Sequence, residues 1–305
     1  MSALGELRQL KDSKGSRGDG KTAFWFLLPW FIGLFAVTAG PMLASLGLSF
    51  TKYNLLQPPT FVGLQNFVRM FSDERLLHSL GVTFTYVLVS VPLQLALALG
   101  LAVLLDRGVR GLSFYRSVYY LPSLIGGSVA IAVLWRTVFG VEGLVNQFLA
   151  IFGIQGQGWI SSPDSAIWTL IILNVWTFGA PMVIFLAGLR QIPVSLYEAA
   201  SVDGASKFRQ FFSITLPLLS PIIFFNLVLQ LIHSFQSFTQ AFVVSGGTGG
   251  PADSTLLFSL YLYQRGFRAF DMGYASALAW LLVVIIGAFT ALNFWASKYW
   301  VFYDD

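Results

Sequence analysis

Six apolar runs, at approximately 23–50, 81–105, 114–138, 166–190, 218–244 and 273–299, divide this sequence and constrain it more than any other feature. A helix rises about 1.5 Å per residue, so about 20 apolar residues cross the hydrocarbon core of a bilayer. Inside that core each backbone amide and carbonyl must find an internal partner, and a helix supplies one. The runs therefore predict an all-α membrane protein with six transmembrane helices. Only 10% of the residues are charged, against about 25% in a soluble domain, which places the chain in a lipid bilayer. Pro29, Pro41, Pro92, Gly126, Gly127, Pro181 and Pro221 fall inside the runs, and membrane helices tolerate such residues where neighbours satisfy the freed backbone groups. Trp25, Trp30, Trp135, Trp159, Trp168, Trp295, Tyr299 and Trp300 lie near run ends, as an interfacial aromatic belt requires.

The division expected is a cytoplasmic basic tail over 1–22 and a transmembrane domain over 23–305. Arg8, Lys11, Lys14, Arg17 and Lys21 precede the first run, an arrangement shared with signal peptides. Ala23–Phe50 is too long for the apolar region of such a peptide and Val37-Thr38-Ala39 is a marginal cleavage site, so retention is expected. With both termini inside, the inner segments hold Arg8, Lys11, Lys14, Arg17, Lys21, Arg107, Arg110, Arg116, Arg190, Lys207, Arg209 and Lys298. The outer segments hold Lys52, Arg69, Arg75, Arg136, Arg265 and Arg268. Twelve against six of the 18 Lys and Arg residues favours cytoplasmic termini.

The absence of cysteine excludes a disulfide framework, a thiolate metal site and a cysteine nucleophile. A net charge of +4 does not point to nucleic acid, because the cations are spread among short inter-helix segments.

The most informative interruption is 195–217. Ser195-x-x-Glu198 reads as a capping box, and Asp203-Gly204 as a helix end with Gly204 left-handed. Ser206 then caps a second helix bearing Lys207, Phe208, Arg209, Phe211 and Phe212. Small Ala199 and Ala200 let another backbone approach. At Tyr197-Glu198-Ala199-Ala200, Asp203-Gly204-Ala205-Ser206 and Ile214-x-Leu216-Pro217 the sequence resembles the cytoplasmic coupling loop of permease subunits in binding-protein-dependent ATP-binding-cassette importers, carbohydrate-uptake branch (the maltose and glycerol-3-phosphate permeases). A plain capped turn between helices is the simpler reading of the loop by itself.

The resemblance implies a type I importer permease fold, and a coupling role for Glu198, Ala199, Ala200, Asp203, Gly204, Leu216 and Pro217. It also implies a second permease subunit, usually forming a heterodimer, two ATPase subunits that hold ATP and Mg, and an extracytoplasmic solute-binding protein. The implied location is the bacterial cytoplasmic (inner) membrane. The chain itself carries no phosphate loop: Lys207 lacks the preceding glycines, and Gly246-Gly247-Thr248-Gly249-Gly250-Pro251 lacks the Gly-Lys-Ser/Thr ending. That glycine run reads as a flexible outer turn, and in the resembled family a similar loop faces the docked binding protein. No cofactor, metal site or catalytic residue is expected on this chain.

The fifth run carries Asn226, Gln230, His233, Ser234, Ser237 and Gln240 at three- and four-residue spacing, which reads as one polar stripe on a helix. Polar groups at membrane depth usually face a bundle interior or a water-filled path. Uncharged amides and hydroxyls suit a sugar, with Phe235 and Phe238 as apolar faces. Interhelical hydrogen bonds that hold the bundle together are the competing explanation. The resemblance places solute contacts near Gln230, Ser234 and Ser237, although asparagines typical there are replaced here, so the substrate does not transfer. Pro122-Ser123, Gly127-Ser128, Asn174, Trp176 and Thr177 are further candidates that packing explains equally well. His233 lacks nearby partners for metal or acid–base chemistry.

Short outer helices are expected at Phe61–Phe67 and Gly143–Leu149. An ion-coupled secondary transporter is the alternative function. It should show inverted repeats and intramembrane carboxylates, and the acidic residues here lie in loops or tails. An intramembrane enzyme would need His-Glu-x-x-His, a Ser/Lys pair or paired carboxylates at depth, and none occurs.

Overall fold

A computed structural model describes residues 17–106 and 111–302. Most of the expected basic tail lies outside the described residues. Helix α1 (Arg17–Gly33) starts before the apolar run and continues through a π-helical segment, Leu34–Ala39, into α2 (Gly40–Ser49). These form the first membrane-length segment, Ala23–Ser49. The second is a single helix, α4 (Glu74–Asp106), reached through a two-residue antiparallel ladder of β1 (Thr51–Lys52) and β2 (Thr60–Phe61) and through α3 (Gln65–Met70). It begins ahead of its apolar run because Asp73 caps it, Oδ1 accepting from the Leu76 amide at 3.1 Å.

The third and fourth runs are not continuous helices. The third is α5 (Leu112–Ile125) and α6 (Val129–Val138), which meet at 97°. Gly126-Gly127 ends α5, and Ser128 is extended, its hydroxyl accepting from the Ile131 amide at 3.3 Å to cap α6. The fourth is α8 (Pro163–Trp176) and α9 (Gly179–Leu189), bent by 41° at Thr177-Phe178. Between the two lies α7 (Leu144–Ile151), the short outer helix expected there. The other short outer helix is displaced: Phe61 pairs in β2 and Gly63 turns with φ +60°, so helix begins only at Gln65.

After α10 (Val194–Val202) the fifth segment runs over Lys207–Val244. It comprises α11 (Lys207–Gln210), a π-helical stretch Phe211–Thr215, α12 (Leu216–Phe235) and, past a break at Gln236–Phe238, α13 (Thr239–Val244). Helix α14 (Phe258–Tyr263) precedes the last segment, α15 (Met272–Ser297). Counting each bent pair once gives the expected six segments.

Helix α4 is the hub, packed against α8, α9 and α12. Its Tyr86, Val87, Val91, Ala98 and Ala102 are sealed against Leu170, Ile171, Met182, Phe185, Leu219 and Leu231. Lipid is as apolar as these side chains, so close van der Waals fit and interhelical hydrogen bonds, rather than exclusion of water, hold such a bundle together. The first segment stands apart: α2 lies against α15, while Trp25, Phe26, Phe35 and Val37 point outward.

Candidate functional site

Helix α10 and the start of the fifth segment form the elbow expected from sequence, with one correction. No capping box closes α10. Pro193, at φ −59° and ψ 129°, is the N-cap, and no side chain caps the helix. Proline presets the entry geometry, so Ser195 falls inside the first turn, where its hydroxyl cannot take the N-cap role. The C-terminal end is as read. Gly204 has φ +74°, its amide bonds Ser201 O at 3.1 Å, and the Ala205 amide bonds Ala200 O at 2.8 Å. This pair of bonds is a Schellman closure, which a β-carbon at Gly204 would strain by about 1–2 kcal/mol. Ser206 caps α11, accepting from the Arg209 amide at 3.3 Å.

Sequence reasoning missed what braces the elbow. Gln210 is buried and donates to Ser201 Oγ at 2.9 Å and Ala205 O at 3.1 Å. The Tyr197 and Thr215 hydroxyls pair at 2.9 Å, tying α10 to the entry of the fifth segment. Glu198, Ala199, Asp203 and Gly204 are exposed, Ala200 is half-buried, and Leu216-Pro217 sit half-buried at the first turn of α12. Val202 is 88% exposed and Phe208 76% exposed on the same elbow. An open cavity of about 1020 Å³ lies beside it, between Gly100, Asp106 and Leu189 on one side and Tyr197, Lys207 and Phe212 on the other.

The polar residues at mid-membrane do not form one stripe. The break at Gln236–Phe238 puts Gln240 on α13, separate from the helix bearing Asn226, Gln230, His233 and Ser234. Asn226 is fully buried and donates to its own helix, at Ile222 O, 3.0 Å away. Gln230 is half-buried, His233 is exposed, and neither makes a side-chain hydrogen bond among the described residues. Ser234, Ser237 and Gln240 instead join a seam with other helices. Asn174 Nδ2 donates to Ser90 Oγ at 2.9 Å and to Ser234 Oγ at 3.4 Å. The Tyr86 hydroxyl donates to Ser237 at 3.4 Å, Ser237 to Gln240 Oε1 at 3.4 Å, and Gln240 Nε2 to Gly126 O at 3.4 Å.

Both helix breaks open onto this seam. The Ser123 hydroxyl donates to Thr177 O at 2.8 Å and accepts from the Ala180 amide at 2.9 Å, satisfying backbone groups freed at the second break. Gly126 faces Thr177 so closely that a β-carbon there would lie 2.3 Å from Thr177 Cγ2. Gly127 is exposed at the bend, and the Trp176 ring packs 5.7 Å from that of Trp135. Discontinuous helices whose backbone groups line a polar midplane are a recurrent way to build a solute site in transporters. Tyr86, Ser90 and Gln94 were missed by sequence reading although they recur every four residues within one long apolar run, the same spacing that marked the fifth run.

At the outer end Asp73 accepts hydrogen bonds from the Tyr261 hydroxyl, the Tyr274 hydroxyl at 2.8 Å and Arg265 Nη2 at 3.2 Å. Burial pushes the Asp73 carboxyl up, but these bonds and the Leu76 amide outweigh it and hold the group below the ordinary aspartate value. Burial and the neighbouring carboxylate push Tyr261 up to about 12. Arg69 pairs with Asp271 at 2.7 Å and Arg75 with Asp253 at 2.7 Å, and the latter holds Asp253 below its ordinary value. The glycine run expected as a loose turn is tied down: Gln264 Nε2 donates to Gly247 O at 2.9 Å and Thr248 O at 3.1 Å. Three outer arginines are thus balanced by carboxylates, which leaves fewer free cations outside than sequence counting gives.

Membrane-length helices around a polar, broken-helix midplane, with an exposed braced elbow at one end, define a multi-pass permease. The chain belongs to the family described as the inner membrane component of binding-protein-dependent transport systems, which matches residues 71–299. It is 53% identical to the probable ABC transporter permease protein YesP of Bacillus subtilis (strain 168), over 97% of this chain and 96% of that protein. It is 34% identical to the lactose transport system permease protein LacF of Rhizobium radiobacter, over 85% of this chain and 88% of that one. The trehalose/maltose transport system permease protein MalF of Thermococcus litoralis is 32% identical, over 91% and 94% respectively. A chain from the crystal structure of a bacterial ABC transporter that imports alginate superposes with a TM-score of 0.75 at 24% identity, covering 95% of this chain and 98% of that one. That likeness confirms the type I importer permease fold.

Proposed function

We propose that this permease is one translocating half of an ATP-driven importer of a sugar, oligosaccharide or polyol phosphate in the bacterial cytoplasmic membrane. A second, different permease subunit completes the path, a solute-binding protein delivers the solute from outside, and two ATPase subunits hold ATP and Mg²⁺, one of them docked on the elbow. The observation that carries this reading is the elbow itself. It is braced internally through Tyr197–Thr215 and Gln210, yet presents Val202 and Phe208 outward, a rigid apolar surface suited to a protein partner. Relatives named as transporters of lactose, trehalose/maltose and sn-glycerol-3-phosphate support the solute class. The uncharged seam fits the neutral sugars among these, because hydroxyls need directional partners without a strong field. A docked binding protein or ATP must stabilise the outward state, since a solute that binds both states equally shifts nothing.

The test is purification from membranes in mild detergent, with co-purifying chains identified by mass. An ATPase carrying a phosphate loop and a second multi-pass permease are expected. Isolation of this chain alone, together with uptake that persists after ATP depletion and collapses with the ion gradient, would overturn the reading in favour of ion coupling.

A further inference from the structure

Gln94 sits on the hub helix α4, 1% exposed, with half of its amide satisfied. Its Nε2 donates to Thr177 Oγ1 at 2.9 Å and to Thr177 O at 3.2 Å. Its Oε1 is buried and has no partner among the described residues. Rotating the amide by half a turn does not cure this. Thr177 O can only accept, and the Thr177 hydroxyl already donates to Asn174 O at 2.7 Å, so both positions require the nitrogen. The orphaned acceptor is therefore fixed by its neighbours. A buried, unpaired carbonyl oxygen of this kind carries a desolvation cost, and such groups in native proteins call for an explanation in strain, function or a bound water or ion.

The location narrows what that partner is. Thr177 is held between Gln94 and Gly126, so the break in the fourth segment and the break in the third segment meet over this one side chain. The amide nitrogens of the seam residues Asn174 and Gln240 are committed to Ser90, Ser234 and Gly126 O. Were the two breaks to separate, Oε1 would be uncovered beside the polar groups of the seam. An uncharged acceptor in that position selects a hydroxyl or amide donor.

We infer that Gln94 is a specificity-determining residue of the translocation path: Oε1 accepts one hydroxyl of the passing carbohydrate, while Nε2 holds the broken end of the fourth segment in register. The inference rests on the carbohydrate reading above. It separates two roles in one amide, and the two substitutions Gln94→Met and Gln94→Glu divide them. Methionine keeps the volume and removes both functions. Glutamate keeps acceptor oxygens and removes the donor.

The experiment uses the complete transporter in liposomes with its binding protein. Labelled lactose, maltose and trehalose, with the monodeoxy analogues of whichever is imported, serve as probes. The readout is kcat/KM for the sugar-loaded binding protein. Gln94→Met is expected to lower it roughly three- to ten-fold for the parent sugar, the size of one neutral hydrogen bond. For a single deoxy analogue, wild type and Gln94→Met should coincide, because the bond is already absent. Gln94→Glu should retain discrimination at that hydroxyl while turnover falls. An equal loss for every analogue would overturn the inference and leave Gln94 a packing residue. If Gln94→Met fails to insert, Gln94→Glu decides alone: loss of discrimination at every hydroxyl overturns it. Import of none of the three sugars by wild type excludes them as solutes and overturns the inference for these disaccharides, whatever becomes of the wider carbohydrate reading.

Discussion

Arg75 and Asp253 form a two-bond clamp, Nε to Oδ2 at 2.7 Å and Nη2 to Oδ1 at 2.8 Å, that fastens the glycine-rich outer loop to the first turn of the hub helix. Both side chains remain partly exposed, at 45% and 28%, so solvent screens the pair and its stability contribution stays below about 1 kcal/mol. Its consequence is positional. Arg75→Ala should leave the melting temperature within a degree or two and raise protease cleavage of 246–255 from the outer side. A large fall in melting temperature with unchanged cleavage would refute a positional role.

Acid should loosen this end of the molecule first. Asp73 and Asp253 are both held below the ordinary aspartate value in the folded state. The stabilisation each supplies is complete above about pH 4, the unfolded value, and is lost as pH falls from there through the folded values. Thermal stability in detergent should therefore be flat in these groups from pH 7 to about 4 and decline below. Asp73→Asn should flatten part of that decline, and an identical acid limb in the variant would exclude Asp73 as its source.

Gly204→Val forces a β-branched residue into φ +74°. The strain, about 1–2 kcal/mol, is local and lies outside the bundle, so insertion into the membrane should persist. Solute-stimulated ATP turnover by the assembled transporter should fall. Wild-type turnover in that variant would show that the elbow does not transmit the stroke.

Tyr197→Phe removes only the hydroxyl that meets Thr215. One neutral hydrogen bond is worth about 1 kcal/mol, too little to unfold the chain. Basal ATPase activity should continue with weaker stimulation by solute, as the elbow and the fifth segment move less as one body. Full stimulation would assign the bracing to Gln210 alone.

Asn174→Leu breaks the links to Ser90 and Ser234. Interhelical hydrogen bonds in membranes average only about 0.6 kcal/mol, so a purely structural role predicts a small change in melting temperature and near-normal transport. A solute role predicts the reverse: transport lost with stability almost unchanged. Uptake and melting measured on the same preparation separate the two.

The number of membrane crossings, the elbow and its glycine closure were legible because each depends on local chemistry: apolar length, a residue without a β-carbon, a serine cap. The entry cap failed for an equally local reason. Pro193 outcompeted Ser195 for the N-cap, and the S-x-x-E pattern could not reveal it. The outer cluster around Asp73 was invisible because Asp73 and its partners Tyr261, Arg265 and Tyr274 are separated by 188 to 201 residues. The polar stripe was legible over Asn226, Gln230, His233 and Ser234, which share one helix, and failed at Ser237 and Gln240, since its period assumed a helix unbroken at Gln236–Phe238.

By itself, then, the sequence determined that this chain lives in a bilayer, how often it crosses, and where its capped, exposed elbow lies, since transfer from water to lipid and the closure of one turn are decided residue by residue. Only the tertiary structure decided which polar groups face one another. That depends on where Gly126 and Thr177 let two helices break, and on the hub helix that brings Tyr86, Ser90 and Gln94 to the gap.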